Sequence, residues 1–255
     1  MRRLAQLVLL LFLALPARAQ IAFDATANSS GVDGTDVTSV TFPHTVVSNT
    51  NGIIVVPCAV TDAVEADRNI STITYNGVGL SLIGKGVVDT IHVEMWRLVA
   101  PATGANNVVV TAGGTADFIA CGSVSLIGVD QASPVDVFDT DNFNNSTTPS
   151  LSITTVADNA WIIDIVNFNN HTTSFVMDAL SGRTERWNFA LATTIRTGGS
   201  TRGPNTPAGA FTMSWTAGAA AAWNYIAASF KPAAIVTPTG KLGGGAKIGG
   251  SAILK

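Results

Sequence analysis

Three groups of residues have the types and spacing to do chemistry. His92, Glu94 and Trp96 alternate in TIHVEMWRL, so an extended chain puts an imidazole, a carboxylate and an indole on one face. Such a face could grip a sugar, the ring stacking on the indole while the polar groups fix hydroxyls. The plainer expectation is that Trp96 packs in the core near the strand end while His92 and Glu94 reach solvent. Asp136, Asp139 and Asp141 fall in the polar stretch QASPVDVFDTDNFNNSTTP, read as a long loop, beside Asn142, Asn144 and Asn145. Clustered carboxylate and amide oxygens suit a structural Ca²⁺. Phe143 stands at a ligand place and no bidentate Glu follows, so the spacing is not an EF-hand, and a solvated loop is the expected state. Cys58 and Cys121 are the only cysteines, each inside a strand-like run. They can form one disulfide if their strands are neighbours, and otherwise remain two buried thiols.

Other enzyme signatures are missing. There is no G-x-S-x-G elbow, no phosphate-binding glycine loop, no H-E-x-x-H and no cysteine pair at metal spacing. His44, His92 and His171 are far apart, each beside Thr, Pro or apolar residues. Asp164 in WIIDIVNF shares a face with Ile162, Val166 and Phe168, so it is either hydrogen-bonded in the interior or on the solvent side of an edge strand. Paired carboxylates for glycoside hydrolysis come from separate strands and leave no motif. Glutamate is confined to Glu65, Glu94 and Glu185, so a carbohydrate-active enzyme using dispersed carboxylates is the secondary functional reading.

The elements that must position these residues are β-strands. Residues 52–60 (GIIVVPCAV) and 161–168 (WIIDIVNF) are continuous apolar runs, as expected of strands buried on both faces. Pro57 removes a ladder donor and calls for a bulge or an edge position. Asn76-Gly77 within STITYNGVGLSLIG signals a tight hairpin. Residues 90–130 read as three strands in a row, broken at Pro101–Gly104 and at Gly113-Gly114. Phe211, Met213 and Trp215 alternate with polar residues in another half-buried strand. No window carries a convincing helical period. Many short strands with closely spaced turn signals predict an all-β chain, a single jelly-roll-like antiparallel β-sandwich. A faint internal echo pairs GIIVVPCAV with AWIIDIVNF, NNVVVTAGG with GAFTMSWTAG, and IACGSVSLIG with YIAASFKPA. It predicts two similar halves interleaved in one sandwich.

The ends and the charge bound the rest. Residues 1–19 have a basic start, an apolar run too short to span a membrane and an Ala17-Arg18-Ala19 site, the pattern of a cleaved signal peptide. This predicts a secreted protein, extracellular or periplasmic, with no membrane span in the mature chain. The domain then covers residues 20–232, with a linker at 233–240 and a Gly-rich tail at 241–255. That tail, KLGGGAKIGGSAILK, is a flexible end or a strand that joins a second copy or an assembly partner. Charged residues make up only 12% of the chain against roughly 25% in ordinary domains, and losing Arg2, Arg3 and Arg18 moves the net charge from −3 to −6. Nucleic acid and acidic lipid are therefore excluded as expected partners.

The run WRLVAPATGANNVVV from Trp96, followed by GSVSLIGVDQ and by the closing WNYIAASFKP, resembles uncharacterised secreted β-sandwich modules of bacterial extracellular and phage-associated proteins. The resemblance covers about residues 52–232. It implies a jelly-roll-like sandwich and brings no catalytic residues. The expected function is non-catalytic: binding of a surface glycan, or a structural part in an extracellular or virion assembly.

Overall fold

The computed structural model describes residues 20–62, 64, 69–88, 91–169, 174–179, 182–191 and 195–234. The expected signal peptide, the tail at 241–255, most of the linker, Glu65 and His171 lie outside them. The described chain is all β, with antiparallel strands in every pairing.

The first half contributes β1 (Ala22–Asn28), β2 (Val32–Val46), β3 (Ile53–Thr61), β4 (Ile70–Tyr75), β5 (Val78–Gly79), β6 (Ser81–Val88), β7 (Ile91–Val99) and β8 (Gly104–Ile127). The second contributes β9 (Val135–Ser146), β10 (Ser150–Thr154), β11 (Ala160–Phe168), β12 (Phe175–Met177), β13 (Arg183–Leu191), β14 (Ile195–Asn205), β15 (Ala210–Ala217) and β16 (Ala221–Phe230). Strand β8 runs without a break through Gly113-Gly114, where two strands were expected. Its N-terminal part pairs with β2 and β4, and its C-terminal part with β1 and β3. The eight-stranded sheet therefore doubles over on itself into two layers.

Four layers result. Layer 1 is β5-β4-β8-β2 and layer 2 is β6-β7-β3-β8-β1, sharing β8; layer 3 is β13-β14-β11-β16-β9 and layer 4 is β12-β15-β10. Three apolar cores fill the gaps between them. Ile54, Val56, Ile73, Tyr75 and Val110 pack between layers 1 and 2. Val55, Met95, Leu126, Ile163, Trp187 and Phe230 pack between layers 2 and 3. Ile162, Phe168, Met213 and Trp215 pack between layers 3 and 4. Layers 2 and 3 are thus covered on both faces, which is why β3 and β11 are continuous apolar runs. Trp187 lies against Gly122 of layer 2 and Gly199 of layer 3, where an added Cβ would come within 2.5 and 1.9 Å of the indole.

Pro57 sits in the central strand of layer 2, not at an edge. Its ladder to β8 skips from Val55 to Cys58, so the missing donor falls in a gap in the pairing. Asn76 and Gly77 take φ of 50° and 76°, as the tight β4–β5 hairpin requires.

The internal echo is a repeat of the whole topology. Strand order 6-7-3-8-1 in layer 2 becomes 13-14-11-16-9 in layer 3, and order 4-8-2 in layer 1 becomes 12-15-10 in layer 4. Registers correspond: Ile53↔Leu126 matches Trp161↔Phe230, and Cys58↔Cys121 matches Val166↔Tyr225. Bulges recur between Phe23 and Ala25 and between Ser229 and Phe230, and again at Leu82/Gly84 and at Glu185/Trp187. The halves are consecutive, not interleaved as the echo suggested. Each builds its own two-layer sandwich, and the two stack through the same face of β3 and β11.

Candidate functional site

The residues with chemical potential gather at four places. On β7, His92, Glu94 and Trp96 do share one face, but their exposure reverses the plain expectation. His92 and Glu94 are buried, at 5% and 2% exposure, while Trp96 is half-buried. Strand β7 lies in layer 2, with layer 1 over the face that carries Glu94 and layer 3 over the face that carries Val93 and Met95, so both of its faces are largely covered. Glu94 Oε2 accepts the Trp96 indole N–H at 2.9 Å, and Oε1 accepts the Ile70 amide at 3.1 Å. Burial raises the Glu94 carboxyl above the usual carboxylate range, against those two donors and nearby Lys85. Glu94 therefore positions an indole and the start of β4. It does not stand where a sugar hydroxyl would meet it.

The Asp136–Asp141 stretch is not a loop. It is β9, the edge strand of layer 3, and its polarity is that of an edge facing solvent. Asp139 and Asp141 each accept the next residue's amide at 2.8 Å. Asp136 Oδ2 accepts the amides of Val156 and Ala157 at 2.7 and 3.2 Å and the Ser229 hydroxyl at 3.3 Å. Among the described residues no group of three or more His, Cys, Asp or Glu side chains could hold a metal ion.

Asp136 has a twin that sequence reading missed. In the first half Asp24 accepts the amides of Val47 and Ser48 at 3.1 and 3.0 Å and the Ser125 hydroxyl at 2.7 Å. Each carboxylate sits at the bulge of its half's first strand and ties the turn before the central strand to the last strand. That turn carries Asn51 at φ 48° in one half and Asn159 at φ 61° in the other. The recurrence identifies Asp24 and Asp136 as architecture.

Ser125 extends the first clamp to a buried histidine. Its proton goes to Asp24, so His44 Nε2–H donates to Ser125 Oγ across 3.0 Å and Nδ1 accepts from Ser123 Oγ across 2.7 Å. Burial lowers the His44 pKa to about 4, against the pull of Asp24. The chain of contacts is not a hydrolytic triad, because the carboxylate orients a serine and not the imidazole. The sequence offered no more than a lone histidine among Thr and Pro.

Between layers 3 and 4 lies the second missed constellation. Asp164 is fully buried in β11, which places it in the interior and not on an edge. Its carboxylate accepts Arg183 Nη2 at 3.2 Å, the Tyr225 hydroxyl at 2.6 Å and the Ser200 amide. Arg183 Nη1 crosses to layer 4, donating to the Ser214 carbonyl at 2.6 Å. Burial and the adjacent Asp164 push the Tyr225 hydroxyl well above its ordinary range, so it stays a donor. By register the first half has Val56 in place of Asp164 and Leu80 in place of Arg183. An ion pair thus fills a space that apolar residues fill in the companion unit.

Cys58 and Cys121 sit directly opposite on β3 and β8 and form a buried disulfide, with a Cα–Cα distance of 4.1 Å. No protein-family model, curated protein or solved structure matches the chain. Among the described residues no helix is long and apolar enough to cross a membrane.

Proposed function

We propose that this is an exported, non-catalytic β protein that acts through its surface, binding glycan as part of an extracellular assembly. One observation carries the non-catalytic part of the reading: among the described residues, the acid, base and ion-pair groups that the fold brings together are engaged by the fold itself. Asp24 and Asp136 clamp turns, His44 bridges two serines, Glu94 holds an indole, and Asp164 with Arg183 joins two layers. A glycosidase needs two carboxyl groups facing a common bond across water-accessible space. These carboxyls face backbone amides and buried partners. The buried disulfide supports export, since such bridges persist in oxidising compartments.

A glycan array run beside a polysaccharide-degradation assay tests the reading. Saturable binding without product formation is expected. Product release, abolished by replacing any carboxylate named above in a variant that still folds, would overturn it.

A further inference from the structure

The chain holds two Asn-Gly dipeptides, Asn51-Gly52 and Asn76-Gly77, and the fold treats them in opposite ways. In such a pair the glycine amide nitrogen can attack the carbonyl carbon of the asparagine side chain, because glycine has no Cβ to obstruct the approach. Both asparagines are exposed, with φ of 48° and 50°, so neither exposure nor backbone angle separates them. What separates them is the state of the attacking nitrogen.

The Gly52 amide is held. It donates to the Asn49 carbonyl at 2.9 Å, inside a turn that Asp24 clamps through the amides of Val47 and Ser48. The other group of the same peptide is engaged too, since the Asn51 carbonyl accepts the Val129 amide at 2.9 Å. Gly52 is buried, and a Cβ there would lie 2.8 Å from the Asn49 Cα. Turning this peptide toward the Asn51 side chain breaks both hydrogen bonds in a packed turn. The Gly77 amide is not held. Among the described residues neither it nor the Asn76 side chain makes a hydrogen bond, and a Cβ on Gly77 would meet nothing within 4 Å. The adjoining β5 is two exposed residues long and forms the edge of layer 1.

We propose that Asn76 is a site of spontaneous covalent modification that the fold leaves open, while the Asp24-clamped turn closes the same reaction at Asn51. Gly77 N gives its proton to solvent and bonds to Asn76 Cγ; the side-chain nitrogen takes up a proton and leaves as ammonia. The product is a five-membered imide. Water then adds to one of its two carbonyl carbons. Breaking the N–Cγ bond gives aspartate at residue 76, and breaking the bond to the main-chain carbonyl gives isoaspartate. No oxidant or reductant enters. Both products add a negative charge, and isoaspartate lengthens the backbone of a two-residue loop. The pairs Tyr75↔Val78 and Thr74↔Gly79 depend on that loop length, so the isoaspartate form loses the β4–β5 hairpin.

The test incubates the full chain at pH 8.5 and 37 °C, folded and in guanidinium chloride. Peptide mapping by mass spectrometry, with an isoaspartate-specific label, follows both sites. The denatured chain gives each site its unprotected rate. In the folded chain residue 76 should convert at close to that rate, and residue 51 at least roughly tenfold below its own, since two backbone hydrogen bonds must break there. Asp24→Ala, under conditions where circular dichroism shows the fold, should speed conversion at residue 51 and leave residue 76 unchanged. Asp136→Ala removes the companion clamp, whose turn carries Asn159-Ala160, and should change neither site. Residue 76 slowed by folding as much as residue 51 would overturn the proposal, as would conversion at residue 51 alone. Equal acceleration at residue 51 by both variants would make overall stability its shield and overturn the part assigned to the clamp.

Discussion

Acidification should weaken the fold through His44, by an amount the structure supplies. The imidazole is 1% exposed, bonded to Ser123 and Ser125, and holds a pKa of about 4 against 6.5 for a free side chain. Between those values the unfolded chain binds the proton and the folded chain does not, so stability falls as pH drops. At about 1.4 kcal/mol per pKa unit, the loss is about 2 kcal/mol by pH 5 and about 3 kcal/mol by pH 4, and is absent above about pH 7. Glu94 works in the opposite direction, because its raised pKa favours protonation in the folded state. The histidine is therefore isolated by comparison with His44→Gln, which keeps a hydrogen-bonding side chain but does not titrate. Urea unfolding of both proteins from pH 7.5 to pH 4.5 is the assay. The wild-type advantage should shrink by about 2 kcal/mol between pH 7.5 and pH 5. A gap that stays constant across that range would refute the buried neutral imidazole.

Further outcomes follow from the repeated clamps and the two cross-links. Asp24→Ala and Asp136→Ala should each cost about 3 kcal/mol, since each strands two amides and a hydroxyl, and the double variant should be additive in denaturant unfolding. Unequal costs, or no cost at one site, would contradict their equivalence. Arg183→Leu alone should lose about 3–5 kcal/mol by leaving Asp164 buried without its cation. Adding Asp164→Val and Tyr225→Phe should recover most of that loss in the same unfolding assay, because the first half is built with Val56 and Leu80 in the places of Asp164 and Arg183, and the phenylalanine removes the hydroxyl that Asp164 accepted. Replacing Cys58 and Cys121 by Ala opens a loop spanning 63 residues and should lower stability by about 2–4 kcal/mol, read as a lower melting temperature.

The strands were legible because burial leaves a periodic trace. β3 and β11 announced themselves as two-sided strands, and Asn76-Gly77 placed a hairpin to the residue. The echo between halves was visible in the same way, through core positions. What escaped was anything that depends on which strands become neighbours. Asp24 and Asp136 do the same work from bulges in corresponding strands, yet their local sequences, AFDATAN and VDVFDTDN, show it only once Ser125 and Ser229 are placed beside them. β9 reads as a loop in the sequence because an edge strand lacks the apolar face that marks inner ones. Gly113-Gly114 reads as a turn because two glycines permit one, whereas β8 uses them in passing from one layer to the next. His92 and Glu94 look like surface residues by type, and only the stacking of layer 1 on that face of β7 explains their burial.

The central claim, that this chain binds glycan and transforms none, is met most directly by one long incubation with cellulose and xyloglucan. Bound protein and released reducing ends are followed together. Saturable binding is expected, with no reducing ends above a heat-denatured control at any time point. Steady release of reducing ends, or no saturable binding to either polysaccharide, would contradict it.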